Sequence, residues 1–312
     1  MIRILALCLV ATPALADVDA VLDGHVLPRV AAFANASATL ANAPCEAGPL
    51  EEAFADAAIA WAGMSHLTLG PVEEADRGLS ILFWPDDRDA TGRGLRLLIA
   101  QGETAWTPDA LTRASAAARG LGALERLIVE GGEPCLLTGA LADDLAAQAA
   151  ALNAGWDAFA PLLRDPGGAN NLRFLTEREA QSALYSVLTQ GIEALKDRRL
   201  GEPMGTFDAP HPLRAELRRS GLSQAMALAS AGALAELAAA LTDAPDTVDA
   251  LRDAEARLRA LDDPSFAGVE DPGRRVALEA VQADLLRAQT AAAREIAGGL
   301  GLTTGFNALD GD

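Results

Sequence analysis

The sequence is poor in residues on which many functional sites depend. Among its 312 residues there are only three histidines, and aromatic residues make up 4% of the chain. Lys196 is the single lysine, and 44 carboxylates outnumber the 25 basic residues, so the net charge is −19. A field of this sign repels phosphate, which argues against nucleic acid and anionic membrane surfaces as partners and favours cations.

Long hydrophobic runs are also missing. The mean hydropathy of +0.16 reflects abundant alanine. No uninterrupted run approaches the roughly 18 to 20 apolar residues that a transmembrane helix needs. We therefore expect a chain that does not span a membrane.

The first sixteen residues have the pattern of a secretory signal peptide. Arg3 gives the start a positive charge, residues 4–10 form an apolar stretch, and Ala14 and Ala16 provide a small-x-small cleavage pattern. This pattern predicts a signal peptide over residues 1–16, cleavage after Ala16 and export to a bacterial periplasm.

Cysteine is scarce, and its placement is informative. Apart from Cys8 in the signal peptide, the chain contains only Cys45 and Cys135. Two cysteines in an oxidising compartment predict one disulfide. The alternative is a pair of soft metal ligands, but neither cysteine has a Cys or His neighbour at ligand spacing.

The pattern along the mature chain predicts an all-α fold. Strand signals are nearly absent, and long segments are rich in Ala, Leu, Glu and Arg. A turn-rich run at residues 164–171 separates two groups of four helices, which predicts two packed four-helix-bundle-like domains at residues 17–165 and 172–312. Residues 70–94 are expected to be irregular, with space for one short helix. The expected helices cover residues 17–40, 49–64, 108–129, 133–163, 176–199, 213–241, 247–261 and 274–300.

Several enzyme motifs are absent. The three histidines, His25, His66 and His211, do not form an H-E-x-x-H zinc motif. The sequence around Ser65 lacks the second glycine of a nucleophile elbow. The glycines at 120 and 122 lie in a helical pattern that has Glu125 where a dinucleotide-binding loop needs glycine or alanine.

Glu125 is the most unusual ionisable residue, because it shares a helix face with Leu121 and Ile128. A carboxylate on an apolar face must be paired, protonated or bound to a cation. Arg119 or an arginine from another helix could pair with it, and a ligand role is the alternative. His66 and Glu73 lie in one turn-rich segment and could converge on a cation. His25 has the same two interpretations.

The order of several short motifs resembles the imelysin family, the M75 peptidase-like proteins of bacterial envelopes, and in particular its short alphaproteobacterial members. The resemblance covers essentially the whole mature chain. Its motifs are Trp61 with His66-Leu67, Gly70-Pro71-Val72-Glu73, Phe83-Trp84-Pro85-Asp86, the run from Ala118 to Glu125, Leu184-Tyr185, Arg198-Arg199-Leu200-Gly201, Gly205-Thr206-Phe207, Arg218-Arg219-Ser220-Gly221-Leu222-Ser223 and Gly305-Phe306-Asn307-Ala308.

The resemblance implies two packed helical bundles and a G-x-H-x-x-E signature whose His and Glu bind a metal or shape a polar site near the domain junction. Gly120 and Glu125 match this signature, but Gly122 replaces the histidine. Either His66 or His25 then supplies an imidazole from another element, or the site has lost its metal. The supporting shell expected from the matched motifs is Asp86, Arg119, Arg219 and Ser220.

The family is usually linked to iron uptake, and sometimes to other metals or haem. We therefore expect a periplasmic, non-catalytic binding protein that serves the acquisition of iron or another divalent metal. The expected metal or polar site consists of Glu125, His66, Glu73 and His25. One alternative is a metal-dependent peptidase, weakened by Gly122. Another is a helical adaptor that docks an envelope partner such as a permease or a haem redox protein.

Overall fold

A computed structural model describes residues 17–131 and 135–301 of the chain. These residues form helices and connecting turns, with no strand among them, so the all-α prediction is confirmed. The predicted signal peptide and the motif at residues 305–308 lie outside the described residues.

The α-helices of the described residues vary from single turns to one helix of 30 residues. In chain order they are α1 Val18–Val21, α2 Leu27–Ala41, α3 Pro49–Met64, α4 Arg77–Ile81, α5 Ala90–Gln101, α6 Pro108–Leu111, α7 Gly120–Glu130, α8 Cys135–Arg164, α9 Glu177–Glu193, α10 Gly201–Met204, α11 Ser223–Leu241, α12 Pro245–Ala260 and α13 Pro272–Ala292.

Three wider π-helical segments continue these helices. Leu22–Val26 joins α1 to α2, Ala194–Leu200 joins α9 to α10, and Ala293–Ala297 follows α13. A π segment rotates the residues of a helix relative to the regular 3.6-residue repeat, and such segments often occur at functional sites. The first two contain His25 and Arg199, respectively.

The core is continuous between the two halves of the chain. Helix α2 packs on α3 and α8, α11 packs on α9 and α12, and α12 packs on α13. Helices α3 and α11 also pack on each other, and one hydrophobic cluster contains buried residues from both halves. Alanines such as Ala227 and Ala231 on α11 are fully buried. The turn-rich segment predicted as a boundary lies between α8 and α9, and the division into two domains remains a prediction.

The predicted disulfide is confirmed. Cys45 lies in the loop between α2 and α3, and it is bonded to Cys135, the first residue of α8. Their Cα atoms are 5.9 Å apart, a normal separation for a disulfide.

The predicted helix at residues 108–129 is wrong, because the chain breaks between α6 and α7. Thr107 caps α6 by accepting a hydrogen bond from the Ala110 backbone N–H. Gly120, where α7 begins, has a φ of +66°. A Cβ added there would lie 2.2 Å from the carbonyl oxygen of Ile81. The close approach of α4 therefore requires glycine and a new helix start.

Two other boundaries also differ from the predictions. Helix α11 begins at Ser223, ten residues later than the expected start at 213, and Gly221 before it has a φ of +68°. Helix α5 begins inside the segment expected to be irregular, where Asp86 accepts hydrogen bonds from the backbone N–H groups of Ala90 and Thr91. Tertiary contacts and capping thus decide boundaries that residue propensity misses.

Helices α8 and α11 are long and apolar enough to cross a membrane when judged only by length and composition. About half of each apolar window is buried inside the fold, however: 44% for α8 and 56% for α11. Core helices commonly meet the same criterion, so this finding is weak support for a transmembrane role.

Candidate functional site

Two neighbouring cavities lie where the two halves of the chain meet. The larger one, which we call the central cavity, has a volume of about 340 Å³ and is lined by residues that include His66, Arg198 and Arg199. The smaller one, the Glu125 cavity, has a volume of about 210 Å³. Leu82 and Trp84 line both cavities and form the wall between them.

A buried pair of histidines lies beside the central cavity. His25, in the first π segment, and His66, two residues beyond α3, are 2% and 5% exposed. Their Nε2 atoms are 2.8 Å apart and share a hydrogen bond. Burial, followed by the positive charge of Arg29, lowers the pKa of His25 to about 3. Burial is also the main reason that the pKa of His66 is well below its usual value. Both rings are therefore neutral near pH 7.

The neighbouring Arg29 fixes which nitrogen of each ring carries a proton. Its Nε donates a hydrogen bond to Nδ1 of His25 at 3.3 Å. This Nδ1 accepts the bond through its lone pair and therefore carries no proton. Neutral His25 then carries its proton on Nε2 and donates it to Nε2 of His66. His66 is left with its proton on Nδ1, and this buried atom has no hydrogen-bond partner within residues 17–131 and 135–301.

A buried ion pair forms another part of the central cavity wall. The Nε of Arg199 lies 2.7 Å from Oε2 of Glu216, and the two side chains are 10% and 5% exposed. The same guanidinium donates to the hydroxyls of Ser65 and Ser230. These contacts satisfy Arg199 and connect the end of α3 to α11 and to the segment before it.

The remaining charged residues of the central cavity are near its surface. Arg198 stacks on Trp84, with its guanidinium carbon 5.7 Å from the ring centroid, and donates to the Trp84 carbonyl oxygen. It makes no ion pair within the described residues. Glu73 is held by the Gly70 backbone N–H at 3.0 Å and by Arg173 at 3.1 Å.

Glu125 is buried as expected and is paired with a serine. It is 3% exposed, and its Oε1 accepts hydrogen bonds of 2.9 Å from both the backbone N–H and the hydroxyl of Ser220. Ser220 lies in the loop before α11, so this contact joins α7 to the second half of the chain.

Arginines pair with the other carboxylates of the Glu125 cavity. Arg126 lies 2.5 Å from Asp89, and Arg214 lies 2.9 Å from Asp87. Burial opposes ionisation of Asp86, but hydrogen bonds from the backbone N–H groups of α5 outweigh it and lower its pKa. These carboxylates therefore have partners within the protein.

The sequence profile of the imelysin family, which is also named peptidase M75, matches residues 24–293. The chain belongs to the imelysin family. No protein with a curated description shows significant similarity to it.

Two solved structures share its fold. An imelysin-like protein from Psychrobacter arcticum 273-4 is 20% identical with a TM-score of 0.76, and the match covers 93% of this chain and 96% of that one. A protein from Parabacteroides distasonis ATCC 8503, provisionally named iron-regulated protein A precursor, is 14% identical with a TM-score of 0.69. That match covers 88% of this chain and 93% of the other.

A Cβ would fit at Gly122, where the family signature would place a histidine. A Cβ added to Gly122 would meet its nearest neighbour, the carbonyl oxygen of Phe83, at 3.8 Å. The missing imidazole is not replaced, because His66 lines the central cavity and His25 lines neither cavity. The residues of the Glu125 cavity thus do not fit a metal held by protein side chains alone.

The other predicted ligands are not gathered into one cluster of three or more in the described part of the chain. No group of three or more His, Cys, Asp or Glu side chains within residues 17–131 and 135–301 is placed to hold a metal ion. Two nitrogen ligands of a tetrahedral zinc ion would be about 3.3 Å apart, given bonds of about 2.0 Å. The 2.8 Å between the His25 and His66 nitrogens instead fits a direct hydrogen bond.

The structure therefore divides the predicted site residues among three places. His66 and Glu73 line the central cavity, with His25 behind His66, while Glu125, Asp86 and Arg219 line the other cavity, where Ser220 holds Glu125. Arg219 pairs with Glu130 at 3.0 Å. Arg119 lies elsewhere, in a buried pair with Asp144 between α7 and α8.

Sequence reasoning missed several residues of the central cavity, above all Arg199, Glu216 and Arg198. Arg198 and Arg199 belong to a motif that resembles the family, so their position in the chain offered a signal. Arg29 also follows His25 by four residues, which is the spacing of neighbours on a helix face. Glu216 lies in a loop and had no such signal.

Proposed function

We propose that this imelysin is a non-catalytic binding protein of the bacterial periplasm that serves iron acquisition. The observation that carries the proposal is the central cavity at the junction of the two halves. Counting only the residues that the structure describes, it combines a buried donor without a hydrogen-bond partner, an arginine without an ion-pair partner and aromatic walls. Family membership and the name of the Parabacteroides neighbour support a link to iron. The signal-like N-terminus and the disulfide support export.

We further propose that the iron is bound as a complex with an anionic chelator. The described residues offer no set of three protein ligands for a bare ion. The side chains that face the central cavity instead include hydrogen-bond donors and the guanidinium of Arg198. Such a surface favours the anionic oxygens that surround a chelated metal.

Calorimetry on the mature, metal-free protein tests this role. We expect ferric citrate to bind and a Glu125→Ala/His66→Ala double variant to bind it at least about tenfold more weakly, because the variant loses the His66 donor. Fe(II) added alone, without oxygen, should give no more heat with the wild type than with the variant. The iron role would be abandoned if neither form of iron bound the wild type better than the variant.

The peptidase alternative has less support. Metal-dependent peptide hydrolysis needs an open coordination position for an activated water and a general base. Gly122 removes the imidazole of the family signature, and Glu125 is engaged by Ser220. The geometry therefore favours binding over hydrolysis.

A further inference from the structure

The His66 side chain has a buried polar atom that lacks a hydrogen-bond partner among the described residues. This atom is Nδ1, and leaving a buried donor unsatisfied is unfavourable in ordinary protein interiors. We propose that this donor recognises a carboxylate on a small, flat, apolar organic molecule that binds in the central cavity. The assignment rests on the proposed binding role but does not require iron.

The direction of the hydrogen bonds makes Nδ1 a donor. Arg29 can only donate, so Nδ1 of His25 must accept. The proton of His25 is then on Nε2, in the bond to His66. The proton position in His25 therefore fixes the proton position in His66. The Nδ1–H group of His66 then needs an acceptor.

His66 lines the central cavity, and its Nδ1 points away from His25. The Nε2 end points to His25, which does not line the cavity, whereas His66 itself does. The Cβ end of His66 approaches Gly191, another lining residue, where an added Cβ would lie 2.8 Å from it.

The charges of the cavity favour an anion. Glu216 is balanced by Arg199, and Glu73 is balanced by Arg173. Arg198 is the lining charge that has no ion-pair partner among the described residues, and its stack on Trp84 holds it in place. A negatively charged acceptor bound at Nδ1 of His66 would interact with both this donor and the guanidinium of Arg198.

The rest of the lining fits an apolar body. A 340 Å³ cavity is within the usual range for small organic ligands, which bind mostly through apolar contacts and a few placed polar groups. A flat ring gains the most from aromatic walls. The apolar side chains that line the cavity are Trp61, Val72, Leu79, Leu82, Trp84, Leu195 and Leu234.

Metal-free titrations with benzoate and benzamide test the ligand class. The two probes have nearly the same shape, but only benzoate is charged. Trp61 and Trp84 line the cavity, so tryptophan fluorescence should report binding. We expect benzoate to bind at least about tenfold more tightly than benzamide, because a charge-assisted hydrogen bond is lost in the amide.

Two variants locate the binding site. His66→Phe and Arg198→Gln should each weaken benzoate binding about tenfold, whereas Arg252→Gln, on the outer surface of α12, should leave it unchanged. Equal binding of the two probes, no binding of either, or unchanged benzoate binding in Arg198→Gln would overturn the proposal. Arg198 is exposed, so this variant remains informative if His66→Phe does not fold.

Nitrogen NMR of the imidazole rings tests the proton assignment independently of any ligand. We expect His25 to carry its proton on Nε2 and His66 to carry its proton on Nδ1. A His66 ring protonated on Nε2 would overturn the proposal, because the cavity would then lack this donor. Neither NMR nor the benzoate titration depends on iron, so a failure of the iron role would remain distinguishable.

Discussion

At the level of single residues, Gly120 and Gly122 show how two glycines in one motif have different physical roles. Gly120 has a positive φ and lies against the backbone of α4, whereas Gly122 lies inside α7, where an added Cβ would make only ordinary van der Waals contacts. The first glycine is required by the fold. Gly122 is not required by the fold, and it stands where the imelysin signature would supply an imidazole.

We expect alanine substitutions at these two positions to have opposite effects. Gly122→Ala should stabilise the protein by about 0.5 to 1 kcal/mol, because alanine loses less backbone entropy in a helix. Gly120→Ala should cost at least about 2 kcal/mol, because the added Cβ collides with the Ile81 carbonyl at a positive φ. Urea unfolding measures both changes. A Gly120→Ala protein as stable as the wild type would contradict the described break between α6 and α7.

At the level of elements, two of the π segments contain buried residues that contact distant parts of the chain. His25 lies in Leu22–Val26 and Arg199 in Ala194–Leu200, and both residues reach partners that are distant in sequence. Sequence periodicity predicted helices over both regions, because a π-helical segment has the same residue preferences as an α-helical one. The contact between His25 and His66 spans 41 residues, so no local pattern reveals it.

The histidine pair should make the protein less stable in mild acid. Below pH 6.5 the unfolded chain takes up protons at these histidines, whereas the folded chain does not, because the folded pKa of His25 is lowered to about 3. The stability is therefore fully present above pH 6.5 and is lost as the pH falls towards 3. Between pH 7 and pH 5 we expect His25 alone to cost about 2 kcal/mol.

Urea unfolding at pH 7, 6 and 5 checks this dependence. A His25→Leu/His66→Leu variant should lose most of the slope, whereas His211→Gln, which changes the exposed histidine, should keep it. This window lies above the usual range of carboxylate titration. Equal slopes in the wild type and the double variant would show that the pair is not buried and neutral.

At the level of the whole molecule, composition and cysteine placement correctly predicted the fold class and the disulfide. The helix boundaries were predicted less well. The all-α fold and the Cys45–Cys135 bond followed from residue propensity and from the count of cysteines. The break at Gly120 and the late start of α11 did not, because each depends on backbone that packs from another part of the chain. The candidate site was predicted in part, since Glu125 is buried but His66 belongs to a different cavity.

The disulfide should contribute substantially to stability. It closes a loop over a sequence separation of 90 residues, and loop entropy predicts about 4 to 5 kcal/mol for a loop of this length. We expect a Cys45→Ser/Cys135→Ser variant to lose about this free energy of unfolding in urea, and the reduced wild type to behave like the variant. A loss below about 1 kcal/mol would mean that the unfolded chain is already constrained in this region.

The central claim is that the junction of the two halves binds an anionic ligand in the central cavity. Its most direct test is a crystal structure of the mature protein soaked with 4-bromobenzoate, with the bromine located by anomalous scattering. The account predicts one ordered bromine site among the apolar side chains of the central cavity, with the carboxylate within hydrogen-bond distance of Nδ1 of His66. A bromine site in the Glu125 cavity, or none in the central cavity, would contradict it.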